Sequence, residues 1–176
     1  MGKPAAEAQS APAMPRVDAI LNHLVYRERL SRLDELERDR VWCRHGIDHL
    51  LAVARIMWIE NLERELGLDR ELIYATALLH DIGRADEYET AEPHDLAGDR
   101  RAAEILGSLP ADVCFSDGEV TQARRAILGH RGAREDATAL ERLLFRADKA
   151  SRACYACEAR EGCKWPEDKM NLTVRI

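Results

Sequence analysis

Six histidines and a handful of acids carry most of the chemistry this chain could do. In the segment LLHDIGR (78–84), His80 and Asp81 stand side by side at the end of the apolar run ELIYATALLHDIG. Ionisable groups are expensive in such surroundings unless something pairs with them. In GIDHLLAVARIMW, His49 shares a helical face with Val53 and Ile56 at i, i+4 and i+7, and His45 lies one turn earlier. Val120, Ala123 and Ile127 form a stripe whose next member is His130, and Leu140 and Leu144 are followed one turn on by Asp148. A lone histidine on an apolar face is most often a satisfied core residue, but aspartate is almost never fully buried unless paired. Several helices, each delivering one His or Asp from an inner face, point to convergence on a common cation, and a helical bundle is a natural place for it. Imidazole with carboxylate suits Mn, Fe, Co, Ni or Zn better than an all-oxygen magnesium site. Such a metal lowers the pKa of its water and polarises a phosphoryl oxygen, and two metals about 3.5–4 Å apart can clamp both the attacking and the leaving oxygen.

The elements that must position these residues read as helices almost throughout. Helical periodicity predicts segments at about 17–39, 45–66, 69–81, 94–107, 117–130 and 138–156. Gly67 and Gly83 close the second and third, and Pro110 separates the fourth from the fifth. Residues 83–93, GRADEYETAEP, read as a polar, acidic loop. Runs of β-branched residues with period-two alternation hardly occur. The expected fold class is therefore all-α, a helical bundle. A length of 176 residues suits one domain with a real core, and no apolar stretch is long enough to span a bilayer. The opening MGKPAAEAQSAPAMPR has no apolar signal region, which makes a cytoplasmic location with reduced thiols the default expectation. A net charge of -6 argues against long nucleic acid as a partner, while leaving room for a local basic patch. The oligomeric state is not legible here.

The motifs resemble those of the HD superfamily of metal-dependent phosphohydrolases, an all-α family. The likeness rests on the ordered set His49, His80-Asp81 and Asp148 in the contexts HGIDHLLAVARI, ALLHDIGR and FRADKASR, and covers about residues 40–152. It implies that His49, His80, Asp81 and Asp148 hold a divalent metal, each from a helix. In some branches two further histidines between the HD pair and the last Asp hold a second metal bridged by the HD aspartate. His94 in EPHDLAG and His130 in LGHRG occupy those intervals, so the two-metal arrangement is favoured over two residues that only contact phosphate or line the pocket. Cationic neighbours would stabilise the charge of phosphoryl transfer: Arg84, Arg131, Lys149 and Arg152, of which Arg84 and Lys149 are the strongest by adjacency. Glu87 and Glu89 are available to orient a water or act as base, and His45 as a second-layer or phosphate contact.

The cysteines depart from a plain HD pattern. CYACEAREGC places Cys154, Cys157 and Cys163 in a C-x2-C-x5-C array, and Cys43 precedes the first histidines. If α-helices extend that far, Cys43 and Cys154 each lie roughly 9 Å along the axis from their metal ligand, and antiparallel helices would bring them together. Four thiolates fit structural Zn or a 4Fe–4S cluster, and the spacing leans slightly to the latter. The Cys43 sulfur is then expected within metal-bridging distance of the other three, with Cys114 left in the core. The expected layout is a disordered tail over 1–16, an HD domain over 17–153 and a cysteine-containing extension over 154–176 packed on it. The leading functional expectation is a phosphohydrolase that uses metal-activated water on a nucleotide or other small phosphorylated compound. The alternatives are a redox or iron sensor built around the cysteines and, last, a di-iron oxygenase.

Overall fold

A computed structural model describes residues 13–174; the tail expected over 1–16 lies outside the described residues up to residue 12. The elements are α1 (Pro15–Asn22), α2 (Leu24–Leu36), α3 (Ile47–Glu63), α4 (Arg70–Leu79), α5 (Arg84–Thr90), α6 (His94–Gly107), α7 (Asp117–Gly129) and α8 (Ala139–Ala150), followed by 3-10 turns at Cys154–Ala156, Arg160–Gly162 and Glu167–Lys169. Among the described residues there is no strand, and no helix is long and apolar enough to cross a membrane. The all-α expectation holds.

Helix α4 is the axis of the fold. All its residues from Leu72 to Leu79 except Tyr74 are buried, and the Thr76 hydroxyl inside it donates to the Leu72 carbonyl at 2.7 Å. A helix that is apolar all round must be enclosed by others. It packs against α3, α7 and α1, while α8 rests on α3 and α7. Leu140, Leu143, Leu144 and Ala147 give α8 the i, i+3, i+4, i+7 stripe that faces this core. Capping boxes at Ser116 with Glu119 and Thr138 with Glu141 start α7 and α8, each satisfying otherwise unpaired helix-end donors. Arg16 ties α1 to the starts of α4 and α7, pairing with Asp69 at 2.6 Å, Glu71 at 2.7 Å and Glu119 at 2.9 Å.

Three boundaries differ from the sequence expectation. The helix expected over 17–39 is broken at His23, which is extended (φ -66°, ψ 132°). Ile20 and Tyr26 are both buried, yet six residues apart on one helix they would point roughly 120° apart. The acidic loop is largely helix α5, because its charges have partners on other helices: Glu89 meets Arg29 and Arg32 at 3.1 and 2.7 Å, and buried Asp86 meets Arg101 at 2.7 Å. Helix α8 stops at Ala150 rather than near 156. The buried Asn171 amide caps its end, donating to the carbonyls of Lys149, Ala150 and Arg152 at 2.6, 3.2 and 2.9 Å, which also fastens the C-terminal segment to the bundle.

The two glycines read as helix stops do different work. Gly67 has φ +67°, which favours glycine, whereas Gly83 is ordinary backbone at φ -76°. A Cβ on Gly83 would fall 2.3 Å from the Gly98 nitrogen and 2.4 Å from the His94 carbonyl oxygen. Gly83 is therefore a contact glycine that lets α6 lie against the turn carrying His80 and Asp81.

Gly83→Ala should lower stability by about 3 kcal/mol or more, since backbone must move to accept the methyl. Gly107→Ala, where nothing lies within 4 Å of the new Cβ, should be neutral or stabilising by up to about 1 kcal/mol. Thermal unfolding of both variants checks the contrast. Burial pushes the Asp86 carboxyl up, but its bonds to Arg101 and Arg100 hold it below the usual range. Its folded-state pKa is thus depressed, so the ion pair contributes stability above about pH 4 and loses it as pH falls through the folded value. Asp86→Asn should cost about 1–3 kcal/mol at pH 7 and much less at pH 3, read from urea midpoints. An equal loss at both pH values would mean that packing, not charge, holds this residue.

Candidate metal centre and its cleft

Helix ends deliver the centre. His80 is the C-cap of α4 with Asp81 next to it, His130 is the C-cap of α7, and His94 opens α6. His49 is near the start of α3 and Asp148 near the end of α8. His80, Asp81 and His130 are thus in turns rather than on helix faces as expected. Gly83 and Gly98 permit the close approach that brings His94 over the turn.

The four histidines converge on the Asp81 carboxylate, which is 1% exposed, and Asp148 joins them beside His49. Asp81 Oδ2 lies 3.6 Å from His49 Nε2 and 3.4 Å from His80 Nε2. Its Oδ1 lies 3.7 Å from His94 Nε2 and 3.6 Å from His130 Nε2, and Asp148 Oδ1 is 3.7 Å from His49 Nε2. Two groups have ligand atoms within 4.8 Å of one another: His49, His80 and Asp148 form one, and Asp81, His94 and His130 the other. These separations are too long for hydrogen bonds, but they match the edge of a tetrahedral sphere with metal–nitrogen bonds of about 2.1 Å, which is about 3.4 Å.

The tautomers agree. His80 Nδ1 lies 2.7 Å from the Ala77 carbonyl and His130 Nδ1 meets the Ile127 carbonyl. A carbonyl only accepts, so both Nδ1 atoms are protonated and both Nε2 atoms carry lone pairs. His94 Nδ1 donates to the Glu87 carboxylate at 2.9 Å. Ser151 Oγ spends its proton on the Asp148 carbonyl at 2.8 Å and so accepts from His49 Nδ1 at 3.3 Å. This is how metal-binding histidines are oriented. His49 Nε2, His80 Nε2 and both Asp81 oxygens are buried without a hydrogen-bond partner, although Arg84 Nε forms an ion pair at 2.9 Å with Oδ1. Burial raises the Asp81 carboxyl, but nearby positive charge, including the Arg84 guanidinium, holds it well below the usual range, so it is ionised. Burial, followed by the Arg84 guanidinium, pushes His94 down to about 4, which keeps it neutral. A buried cluster of lone pairs and one fixed negative charge could hold a divalent metal.

Above the centre lies a cationic cleft in two joined parts of about 370 and 570 Å³. His45, His49, Arg84, Asp148 and Lys149 line the first, and Glu87, His94, His130 and Arg131 line the second. Lys149 pairs with Asp148 beside the Phe145 ring, and Arg131 pairs with Asp95 at 3.1 Å. His45 Nδ1 donates to Glu37 at 2.6 Å, its backbone N–H meets the other Glu37 oxygen at 2.7 Å, and Tyr88 adds a bond of 2.7 Å. Burial would raise the Glu37 carboxyl, but His45 above all brings it down to about 2.

Several functional positions were not visible beforehand. Glu37 is one of many acids in DELERDR, and nothing local marks it as the residue that orients His45. Glu87 orients His94 rather than standing free as a base, and Glu89 faces Arg29 and Arg32 outside the cleft. Lys164, Trp165 and Lys169 of the C-terminal segment line the cleft, a role that no spacing pattern announces. Cys43 and Cys154 lie outside α3 and α8, so the helical offset expected for them does not apply. They nonetheless line one cavity together with Cys157 and Cys163. No three sulfurs among the described residues lie mutually within 4.8 Å. Cys114, expected in the core, is exposed; in the loop before α7 it is the neighbouring Phe115 that is buried.

An uncharacterised protein of Clostridium beijerinckii is 38% identical over 161 residues, spanning 92% of this chain and 99% of that protein. Ribonuclease Y of Nitratidesulfovibrio vulgaris is 28% identical over 131 residues, 74% of this chain but only 22% of that enzyme. The crystal structure of a predicted HD superfamily hydrolase from an uncultured Thermotogales bacterium shares the fold, with a TM-score of 0.64 at 23% identity over 90% of this chain and 83% of that one. The HD domain family matches residues 46–153, the segment that runs from the start of α3 past the end of α8 and carries all six converging residues, and the chain belongs to that family.

Proposed function

We propose that the chain is a metal-dependent phosphohydrolase that uses water to cleave a phosphate ester or anhydride of a nucleotide or similarly small phosphorylated compound. The observation that carries this reading is a buried carboxylate faced by four imidazole lone pairs at the floor of a cationic cleft, in a chain whose net charge is -6. His49, His80 and Asp148 would hold one divalent metal, His94 and His130 a second, and Asp81 both. The donor set favours Mn, Fe, Co, Ni or Zn over Mg. When bound, such ions supply Lewis-acid stabilisation of phosphoryl oxygens and make water acidic enough to act at neutral pH.

The remaining work falls to the chain's own side chains. Arg84 and Lys149, at the boundary of the two cleft parts, would hold the phosphoryl oxygens in line and spread their charge. Arg131, Lys164 and Lys169 extend the anion-binding surface toward further phosphates. His45, with Nδ1–H committed to Glu37, offers its Nε2 lone pair to a proton leaving water or to a substrate hydroxyl. The Trp165 ring borders both parts of the cleft, with the Arg152 guanidinium 4.7 Å from its centroid, and would contact a nucleobase. A volume of a few hundred Å³ suits a mononucleotide or dinucleotide. The similarity to ribonuclease Y keeps a ribonucleotide within this class, and the wall over residues 162–169 favours a short substrate over a long strand.

Phosphate release should be measured over nucleoside mono-, di- and triphosphates and dinucleotides, with each of the five metals. At least one compound should turn over, and Asp81→Asn should lower kcat by about 10³-fold or more. No release from any compound by fully metallated protein would sink the proposal. Glu87→Gln should weaken Mn binding about 10–100-fold by calorimetry, because His94 loses the carboxylate that orients it.

A further inference from the structure

A cavity of about 700 Å³ lies beside the His/Asp centre rather than over it. Cys43 enters it from the segment before α3, and Cys154, Cys157 and Cys163 from the turns after α8. Four of the five cysteines of the chain thus meet from segments more than 100 residues apart, while Cys114 stays away. Cys43 and Cys163 also border the cleft, so the two cavities share a wall.

The thiols are spaced more widely than one zinc ion would hold them. A single tetrahedral zinc with bonds of about 2.3 Å draws its sulfurs to about 3.8 Å from one another. No three of these sulfurs lie mutually within 4.8 Å, a limit that the His/Asp residues meet twice. A cubane gives each thiolate a different iron, so its four sulfurs stand at the corners of a wider tetrahedron. The surroundings suit an anionic, four-thiolate cluster. Arg40, Arg44 and Arg160 line the cavity and outnumber the carboxylates of Asp39 and Glu158. Trp42, Trp165 and Met170 supply part of its apolar lining.

We propose that Cys43, Cys154, Cys157 and Cys163 bind a 4Fe–4S cluster that clips the segment 154–170 onto the HD domain. The clip matters for the cleft because Lys164 and Trp165 follow Cys163 directly and line both of its parts. Among the described residues the segment has short 3-10 turns and no α-helix of its own, so a covalent staple is the natural means of fixing it. The site stands on the thiols alone and does not depend on which reaction the His/Asp centre performs.

The test is acid-labile sulfide, iron and zinc content of the full chain made and purified without oxygen, together with its visible absorption. Sulfide separates cluster iron from iron at the His/Asp centre. About four sulfides per chain are expected. Cys157→Ser should lose the sulfide and the absorption, whereas Cys114→Ser should keep both. In the loaded chain, tryptic cleavage after Arg160, Lys164 and Lys169 should be at least about tenfold slower than in chain stripped of iron. Sulfide-free protein that stays so after anaerobic treatment with ferrous iron and sulfide would overturn the proposal, whether the cysteines then hold zinc or titrate as free thiols. If Cys157→Ser fails to fold, the sulfide content of the unaltered chain still decides. Phosphate release is not among the readouts, so failure of the hydrolase reading would leave this result standing.

Discussion

The structure turns on one carboxylate. Asp81 is enclosed, ionised and without a well-aligned hydrogen bond, and four imidazole nitrogens face its two oxygens with their lone pairs. Such an arrangement is costly in a low-dielectric interior unless positive charge compensates it. Arg84 supplies part of that charge from one side, and a divalent cation between the nitrogens and oxygens would supply the rest. Much of the surrounding architecture follows from holding these groups still. The apolar α4 ends where its last turn can present His80 and Asp81, and two glycines let α6 come close enough to add His94.

Around this point the hydrogen bonds are arranged so that each ring keeps one nitrogen free. Backbone carbonyls one turn earlier hold His80 and His130, and Glu87 and Ser151 do the same for His94 and His49. A helix C-terminus is suited to this, because its last carbonyls lack partners within the helix. The same logic extends outward to His45, held by the buried Glu37. These outer contacts turn ordinary histidines into oriented donors, so the centre is preorganised by the fold.

The cleft shows how a local field can oppose the overall charge. The chain is acidic as a whole, yet lysines and arginines from α5, the turn after α7, α8 and the C-terminal segment gather on one wall. Many other arginines are neutralised in pairs such as Arg101 with Asp86 and Arg124 with Asp99. Net charge therefore says little about what the cleft attracts. The C-terminal segment matters here, since it supplies Lys164, Trp165 and Lys169 and is fastened at its far end by the Asn171 amide.

Periodicity and residue type sufficed to make the fold class and five of the converging residues legible, while His94 entered only through the resemblance to the HD family. Apolar stripes at helical spacing are a local property, and His or Asp on such a stripe stands out against it. Helix α6 begins and ends where its pattern does, at His94 and Gly107. Features that depend on a distant partner were hidden. The acidic segment 84–90 reads as loop until Arg29, Arg32 and Arg101 are placed opposite its charges. Gly83 reads as a helix stop until the α6 backbone lies against it. Glu37 is one acid among many until His45 folds back onto it, and the thiol positions expected from continuous helices yield to a cavity formed by loops. Local spacing determines which side chains share a face of one helix. The meeting of helix ends, the pairing of charges across 50 or more residues and the wall over the cleft are decided by packing, because those energies exist only between elements already in contact.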